Sequence, residues 1–406
     1  MKKIRIALIR EGKVPPDKRV PFSPLQVEEI IQDFPEVEVC CQQSDIRCFK
    51  DKEYAALDIP VREDISDCDI MMGIKEVPVD LLIPGKTYLF FSHTIKKQPY
   101  NRKLLRAILA KNIRLIDYET LRDPLGNRLV AFGRYAGIVG AYNGLWTYGI
   151  KQNQFKIRRA FECFDINDLK LELRKVSLPP IKIILTGSGR VARGAMETLD
   201  SAGIRKVSPE DFVNKLFSEP VYVQLNSGNY HRRIEGGHFN RHEFHNFPER
   251  YESVFRTFLK NADILMAGAF WNPNAPVLFT REDMLEPWFK TDVIADITCD
   301  IRGSVPSTIR ATSIADPVYD YDPSTDKESP GFSGSGSVTV MSIDNLPCEL
   351  PRSASEEFGR DLIDRILKPL LEGDVDRIIE RATIAKAGKL TDEFSYLQDY
   401  VNGTEV

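Results

Sequence analysis

Short apolar runs and amphipathic stretches take turns along this chain from its first residues. Residues 3–9 form an apolar-rich run that predicts a buried strand, followed at 10–20 by a polar loop with Pro15 and Pro16. Ser23-Pro24 opens a helix in which Leu25, Val27, Ile30 and Ile31 recur at helical spacing, with proline in the first turn, where its missing N–H has no partner to lose. Residues 37–41, 69–74, 88–92 and 113–116 predict further short strands, with a helix over 101–110. Strands alternating with helices make the first ~120 residues an α/β unit with a largely parallel sheet.

The pattern changes at residues 129–145, an apolar run punctuated by Gly133, Gly137, Gly140 and Gly144. It predicts a closely packed helix joining two domains, the glycines allowing near approach of another backbone. Arg134 and its length exclude a membrane span. Pro179-Pro180 precede the most informative stretch, 181–203, where Ile181, Ile183, Ile184 and Leu185 form a buried strand and Gly187, Gly189 and Gly194 follow. Gly187 suits a tight turn, Gly189 the approach of a pyrophosphate, and Gly194 the seating of a helix on the strand. Val191, Ala195, Thr198 and Leu199 fall at helical spacing, so a helix opening near Arg190 aims its amides at phosphates. Ala192 holds the usual place of the third glycine, which Gly194 takes two residues later. Strand, turn and helix together point to a dinucleotide site.

The strand after that helix begins near Lys206-Val207. An acid at its end would meet a free ribose 2′-hydroxyl; the sequence instead offers Ser208-Pro209, with Arg190, Arg205 and Lys206 nearby. This favours NADP over NAD, which stays open as the alternative. Residues 217–258 are polar and hold His231, His238, His242 and His245. They read as an inserted surface loop and helix. His238 and His242 lack the further Cys or acidic partner of a zinc motif, so no metal is assigned. Residues 264–270, 293–296 and 338–343 are further strands, 333–337 (SGSGS) is a flexible crossing, and Ser353 starts an amphipathic helix with Glu356 as capping partner. That late helix predicts a C-terminus returning to the first domain.

Composition narrows the class. With 406 residues, 42% hydrophobic, 28% charged and net charge -4, the chain is an ordinary globular protein of two domains. No charge run implies nucleic acid or a membrane surface. The amino-terminal apolar run is cut by Arg5 and Arg10, unlike a signal peptide, and seven scattered cysteines suggest reduced thiols. A cytoplasmic location follows as the expectation.

Chemistry concentrates at strand ends. Lys75, His93 and Glu119 each lie just past a predicted strand, and the carboxyl edge of an open parallel sheet is where ligands bind.

These residues and their surroundings resemble the lysine-2-oxoglutarate reductase (lysine-forming saccharopine dehydrogenase) family. The motifs are KTYLFFSHTIKKQ (86–98), IRLIDYE (113–119), NRLVAFGRYAG (127–137), TGSGRVARGA (186–195), GAFWNPNAP (268–276), DITCDIRGS (296–304) and MSIDNLPCELPRSASEEFG (341–359). The chain is more distantly similar to fungal saccharopine dehydrogenase and to alanine dehydrogenase and transhydrogenase N-terminal-type proteins; the His-rich insert resembles the reductase.

The resemblance implies an α/β fold of two Rossmann-like domains with parallel sheets and an active-site cleft between them. A substrate domain would span 1–132 plus 341–406, and a dinucleotide-binding domain 133–340 with an insertion at about 217–258. It implies Lys75 and His93 as the acid–base pair, and Arg19 and Arg128 as partners of substrate carboxylates. Gln98, Phe132, Phe270 and Trp271 would line the substrate. Gly187, Ser188, Gly189, Arg190 and Val191 would hold the pyrophosphate, with Asp296, Asn345 and Leu346 near nicotinamide and ribose. Asn127 departs from the fungal enzyme, which has an arginine there. The expected reaction joins lysine and 2-oxoglutarate into saccharopine by nicotinamide-dependent imine reduction. The alternatives are reductive amination of a small keto acid, as in alanine dehydrogenase, and a non-catalytic nucleotide-binding protein. Expected partners are small amino and keto acids, in a chain compatible with homo-oligomerisation.

Overall fold

A computed structural model describes residues 3–334 and 336–404, so Ser335 of the SGSGS crossing lies outside the described residues. The chain divides into two compact units, Met1–Phe132 with Pro351–Val406, and Gly133–Leu350.

In the first unit, β1 (Ile4–Leu8), β2 (Val37–Gln42), β3 (Val61–Arg62), β4 (Ile70–Met72), β5 (Thr87–Phe90) and β6 (Arg114–Asp117) are parallel. Their order is β6-β5-β4-β1-β2-β3, and strands Thr383–Lys386 and Lys389–Leu390 extend it antiparallel beyond β6. The C-terminal segment therefore returns to this sheet. It also supplies helix Pro351–Leu362, whose Phe358 and Leu362 are fully buried against Phe22, Leu89 and Tyr118. Helix Pro24–Asp33 begins as its sequence predicts: Ser23 caps it, and Gln26 closes the capping box. Because β1, β4, β5 and β6 are parallel, the residues just past Leu8, Met72, Phe90 and Asp117 share one sheet edge.

The second unit holds β7 (Lys182–Thr186), β8 (Arg205–Val207), β9 (Val221–Leu225), the hairpin β10 (His231–Arg233) and β11 (Tyr251–Ser253), then β12 (Ile264–Ala267), β13 (Val293–Asp296), β14 (Val318–Asp322), β15 (Lys327–Pro330) and β16 (Val338–Met341). Its large sheet runs β15-β14-β16-β13-β12-β7-β9-β8. Two sequence expectations change here. The stretch 217–258 is not wholly a surface insertion, since β9 is one of its parts and four of its five residues are buried. And β9, not β8, is the strand that pairs with β7.

Helix Gly133–Lys151 crosses helix Arg190–Ser201 at backbone contact. A Cβ on Gly137 would stand 1.8 Å from the Val191 carbonyl oxygen, and one on Gly194 would stand 1.9 Å from that of Arg134. Gly194 thus seats its helix on helix Gly133–Lys151 and not on the strand. The glycines of that long helix serve close approach, as their spacing suggests.

Candidate functional site

At the carboxyl edge of the first unit's sheet, charged groups gather around Lys75 and His93. The loop after β1 brings Glu11, whose Oε1 and Oε2 accept the backbone N–H groups of Ile74 (2.6 Å) and Lys75 (2.9 Å). This pins the end of β4. Burial, then Asp17, pushes the Glu11 carboxyl up to about 8 against the pull of those N–H groups. Lys75 is half-buried, and its amine is drawn below the usual lysine range, first by burial and then by Arg19 and Lys13, with Asp17 and Glu76 opposing. A lysine so placed gives up its proton more readily than one in water.

His93 follows β5 with a left-handed backbone, φ 53°. Its Nδ1 meets Glu76 Oε1 at 2.6 Å, while Lys13 Nζ donates to Glu76 Oε2 at 2.9 Å. Burial opposes the charge on Glu76, but His93 and Lys13 outweigh it and hold the carboxyl down at about 2. A carboxylate at Nδ1 fixes the imidazole's orientation and leaves Nε2 for proton exchange. Beneath, Asp117 accepts the Ser92 hydroxyl, the Ser92 N–H (3.0 Å) and the Glu119 N–H (2.7 Å), tying the ends of β5 and β6 together.

A cationic side completes the cluster. Lys96 and Arg128 approach Glu119 Oε1 at 3.6 and 3.9 Å, and Arg128 lies over the Phe91 ring at 5.5 Å. Arg19 is placed differently from the expected carboxylate ligand. It is buried, bound bidentately to Asp17 (3.0 and 2.6 Å) and stacked 4.1 Å over Phe132. Phe132 stacks in turn on Phe358 at 4.4 Å. Gln98 accepts the Tyr100 hydroxyl through its side chain and the Tyr400 hydroxyl (2.6 Å) through its carbonyl. Lys75, His93, Arg19, Arg128 and Phe132 therefore all belong to this one unit. Glu11, Lys13, Asp17 and Glu76 complete the cluster. The first three lie in a stretch the pattern marks only as a polar loop, although the strand-end rule that finds Lys75 applies equally to Glu11.

The second unit carries the Gly-rich turn at its own carboxyl edge. Gly187 has φ +103° and its N–H donates to the Leu225 carbonyl at 2.8 Å, while Gln224 Nε2 donates to the Gly187 carbonyl at 2.7 Å. A Cβ at Gly187 would stand 2.9 Å from the Gly268 carbonyl oxygen, but one at Gly189 would meet nothing within 4 Å. Ser188 and Gly189 are exposed before the helix that Arg190 and Val191 begin. That open cradle at a helix start fits a pyrophosphate. Since β9 neighbours β7, the residue just past the strand beside β7 is Asn226, which is not acidic, while Ser208 caps the next short helix.

Asp296 ends β13, buried, its oxygens taken by Thr298 (3.1 and 2.7 Å) and Thr308 (2.6 Å), and burial raises its carboxyl. Asn345 and buried Leu346 follow β16, which pairs with β13. Phe270 is 86% exposed, while Trp271 folds into a cluster with Phe244 and Tyr251. His238 lies outside the helix Arg241–Asn246 that carries His242, so the two do not share a helical face. Among the described residues no helix is long and apolar enough to cross a membrane.

Residues 7–139 match the alanine dehydrogenase/PNT N-terminal domain. The chain is 32% identical to the mitochondrial alpha-aminoadipic semialdehyde synthase of Mus musculus over 97% of its own length and 47% of that protein. It thus spans about half the length of those relatives. It is 27% identical to the NAD(+), L-lysine-forming saccharopine dehydrogenase of Schizosaccharomyces pombe, covering 81% of this chain and 84% of that one. Among solved structures, L-alanine dehydrogenase is similar in fold at TM-score 0.67 and 16% identity, covering 99% and 100% of the two chains. The transhydrogenase of Sinorhizobium meliloti is similar at 0.62 and 13%, covering 95% and 100%. The chain is a homologue of the alpha-aminoadipic semialdehyde synthases and of the saccharopine dehydrogenase-type oxidoreductases, built on an alanine dehydrogenase-like fold.

Proposed function

We propose that this protein is a nicotinamide-dependent oxidoreductase that joins the ε-amine of lysine to 2-oxoglutarate, forming saccharopine, with NADPH preferred to NADH. The observation that carries the reading is the Lys75–Glu76–His93 cluster, flanked by Lys13, Lys96 and Arg128, in a chain similar to alpha-aminoadipic semialdehyde synthases.

The chemistry asks for two kinds of proton transfer. The amine adds to the ketone, and the resulting carbinolamine loses water to give an imine; both steps move protons at nitrogen and oxygen. Lys75, with its amine drawn down by burial and by Arg19, gives up and regains a proton more readily than an ordinary lysine. His93, oriented through Nδ1 by Glu76, serves the second transfer from Nε2. Arg128 and Lys96 receive substrate carboxylates, the guanidinium in bidentate fashion. Arg19, held by Asp17, acts mainly by placing Phe132 and by its charge on Lys75. The nicotinamide, when bound, supplies the hydride. Gly187, Ser188, Gly189, Arg190 and Val191 would hold its pyrophosphate, and Asn345 and Leu346, with Asp296 bracing the adjoining strand end, would lie near its nicotinamide and ribose. The preference for NADPH rests on Asn226 standing where an acid would bind a free ribose hydroxyl.

The test is a set of initial rates with lysine and 2-oxoglutarate, using NADPH and NADH side by side. Turnover that needs both substrates and is faster with NADPH is expected. Turnover with ammonia and pyruvate in the absence of lysine would overturn the substrate reading in favour of small keto-acid amination.

A further inference from the structure

Beside β1, in the apolar cluster that buries Ala7, two cysteines meet. Cys40, on β2, and Cys68, in the loop ahead of β4, flank β1 on its two sides, and their Sγ atoms lie 3.5 Å apart. Both are free thiols and buried. Arg62 Nη2 donates to Cys68 Sγ at 3.3 Å and pairs with Asp67 at 2.6 Å. A cavity of about 500 Å³ is lined by both cysteines together with Lys3, Arg5, Arg62 and Asp67. A pair of thiols in contact, beside a guanidinium and open to a cavity, is the arrangement that redox-active dithiols require.

We propose that Cys40 and Cys68 form a peroxide-sensitive dithiol. The thiolate of one attacks one oxygen of hydrogen peroxide; an S–O bond forms, the O–O bond breaks, and the departing hydroxide takes a proton to leave as water. The second thiol then attacks the sulfenic sulfur, forming the S–S bond and releasing a second water. The sulfur pair loses two electrons and the peroxide gains them, so two thiols and one peroxide give one disulfide and two waters. Closing from 3.5 Å to a bonded ~2.05 Å needs about 1.5 Å of travel, and Cys68, outside any strand, can supply it.

Arg62, donating to Cys68 Sγ at 3.3 Å, stabilises a thiolate in the pair. Burial pushes Cys41, Cys48 and Cys299 up to about 12 and Cys163 to about 11. Only a small oxidant reaches sulfurs so covered, which is why a hydroperoxide is the fitting reagent.

The experiment treats the whole protein with limiting hydrogen peroxide, blocks free thiols in acid and maps linked peptides by mass spectrometry. A Cys40–Cys68 link that dithiothreitol reverses is expected as the first product, with the Cys40 thiol lost about tenfold faster than that of Cys299. With its resolving partner gone, the cysteine that remains in Cys68→Ser or Cys40→Ser should be trapped by dimedone as the sulfenic acid in at least one of the two variants. Oxidation of Cys48 or Cys299 ahead of Cys40, or persistence of both thiols under peroxide, would overturn the proposal. The wild-type peptide map decides the matter alone if either variant fails to fold.

Discussion

Replacing Glu76 by glutamine removes one charge and keeps the side chain's size, so its effect isolates the electrostatics of the cluster. Glu76 is only 11% exposed, with His93 Nδ1 at 2.6 Å and Lys13 Nζ at 2.9 Å. Its carboxyl is held at about 2 against an ordinary 4.5, a displacement worth about 3 kcal/mol at ~1.36 kcal/mol per pH unit. The sign follows from linkage. A carboxyl depressed in the folded state contributes stability that is fully present above 4.5 and is lost as pH falls through about 2. Glu76→Gln should therefore lose about 2–3 kcal/mol at pH 7, the order expected when a charged hydrogen-bonding partner is removed. The gap from wild type should narrow as pH falls below 4.5. Urea unfolding at pH 7, 5, 4 and 3.5, followed for both proteins, reads this difference directly. Parallel curves at every pH, or a gap that widens on acidification, would refute the argument that His93 and Lys13 hold Glu76 ionised.

Lys75→Met should lower turnover by roughly 10²–10⁴-fold, the scale of acid–base groups, while nucleotide affinity stays nearly intact; wild-type kcat with lysine and 2-oxoglutarate would sink its role. Gly137→Ala should cost about 3 kcal/mol or more, since its Cβ would fall 1.8 Å from the Val191 carbonyl oxygen and the two helices must part; thermal unfolding measures it, and an unchanged Tm would contradict the crossing. Gly189→Ala should leave Tm unchanged, because its Cβ meets nothing within 4 Å, yet weaken nucleotide binding measured by fluorescence titration. Asn226→Asp should shift the NADPH/NADH ratio of kcat/KM toward NADH by about 10–100-fold, the size of one charged hydrogen bond gained or a repulsion added; an unaltered ratio would place the ribose elsewhere than the end of β9.

Much of the second unit's cradle was legible in the chain. The strand before Gly187, the turn and the helix from Arg190 follow from apolar spacing and glycine chemistry, both local properties. So does the helix start at Ser23-Pro24, with Gln26 closing its box. Lys75, His93 and Glu119 were also within reach, because strand length fixes which residues fall just past a strand's end. The neighbour of β7 was not. VYVQL at Val221–Leu225 is longer and more apolar than the three-residue β8, but sequence order favours β8, and only pairing across the sheet reveals that β9 lies between them.

The partition has a physical reason. By itself the sequence determined the α/β alternation, the Gly-rich turn and the list of strand-end acids and bases, since these depend on periodicity within a few residues. Tertiary structure alone decided what those groups touch. Glu11 on the Ile74 and Lys75 amides, Glu76 between His93 and Lys13, Arg19 locked to Asp17 against Phe132, and Gly194 against the carbonyl of Arg134 all join segments set side by side by the fold. Several of these contacts span more than sixty residues of chain, and no local pattern records such a distance. The same holds for Cys40 and Cys68, two unremarkable cysteines in sequence that β1 brings into contact by lying between them.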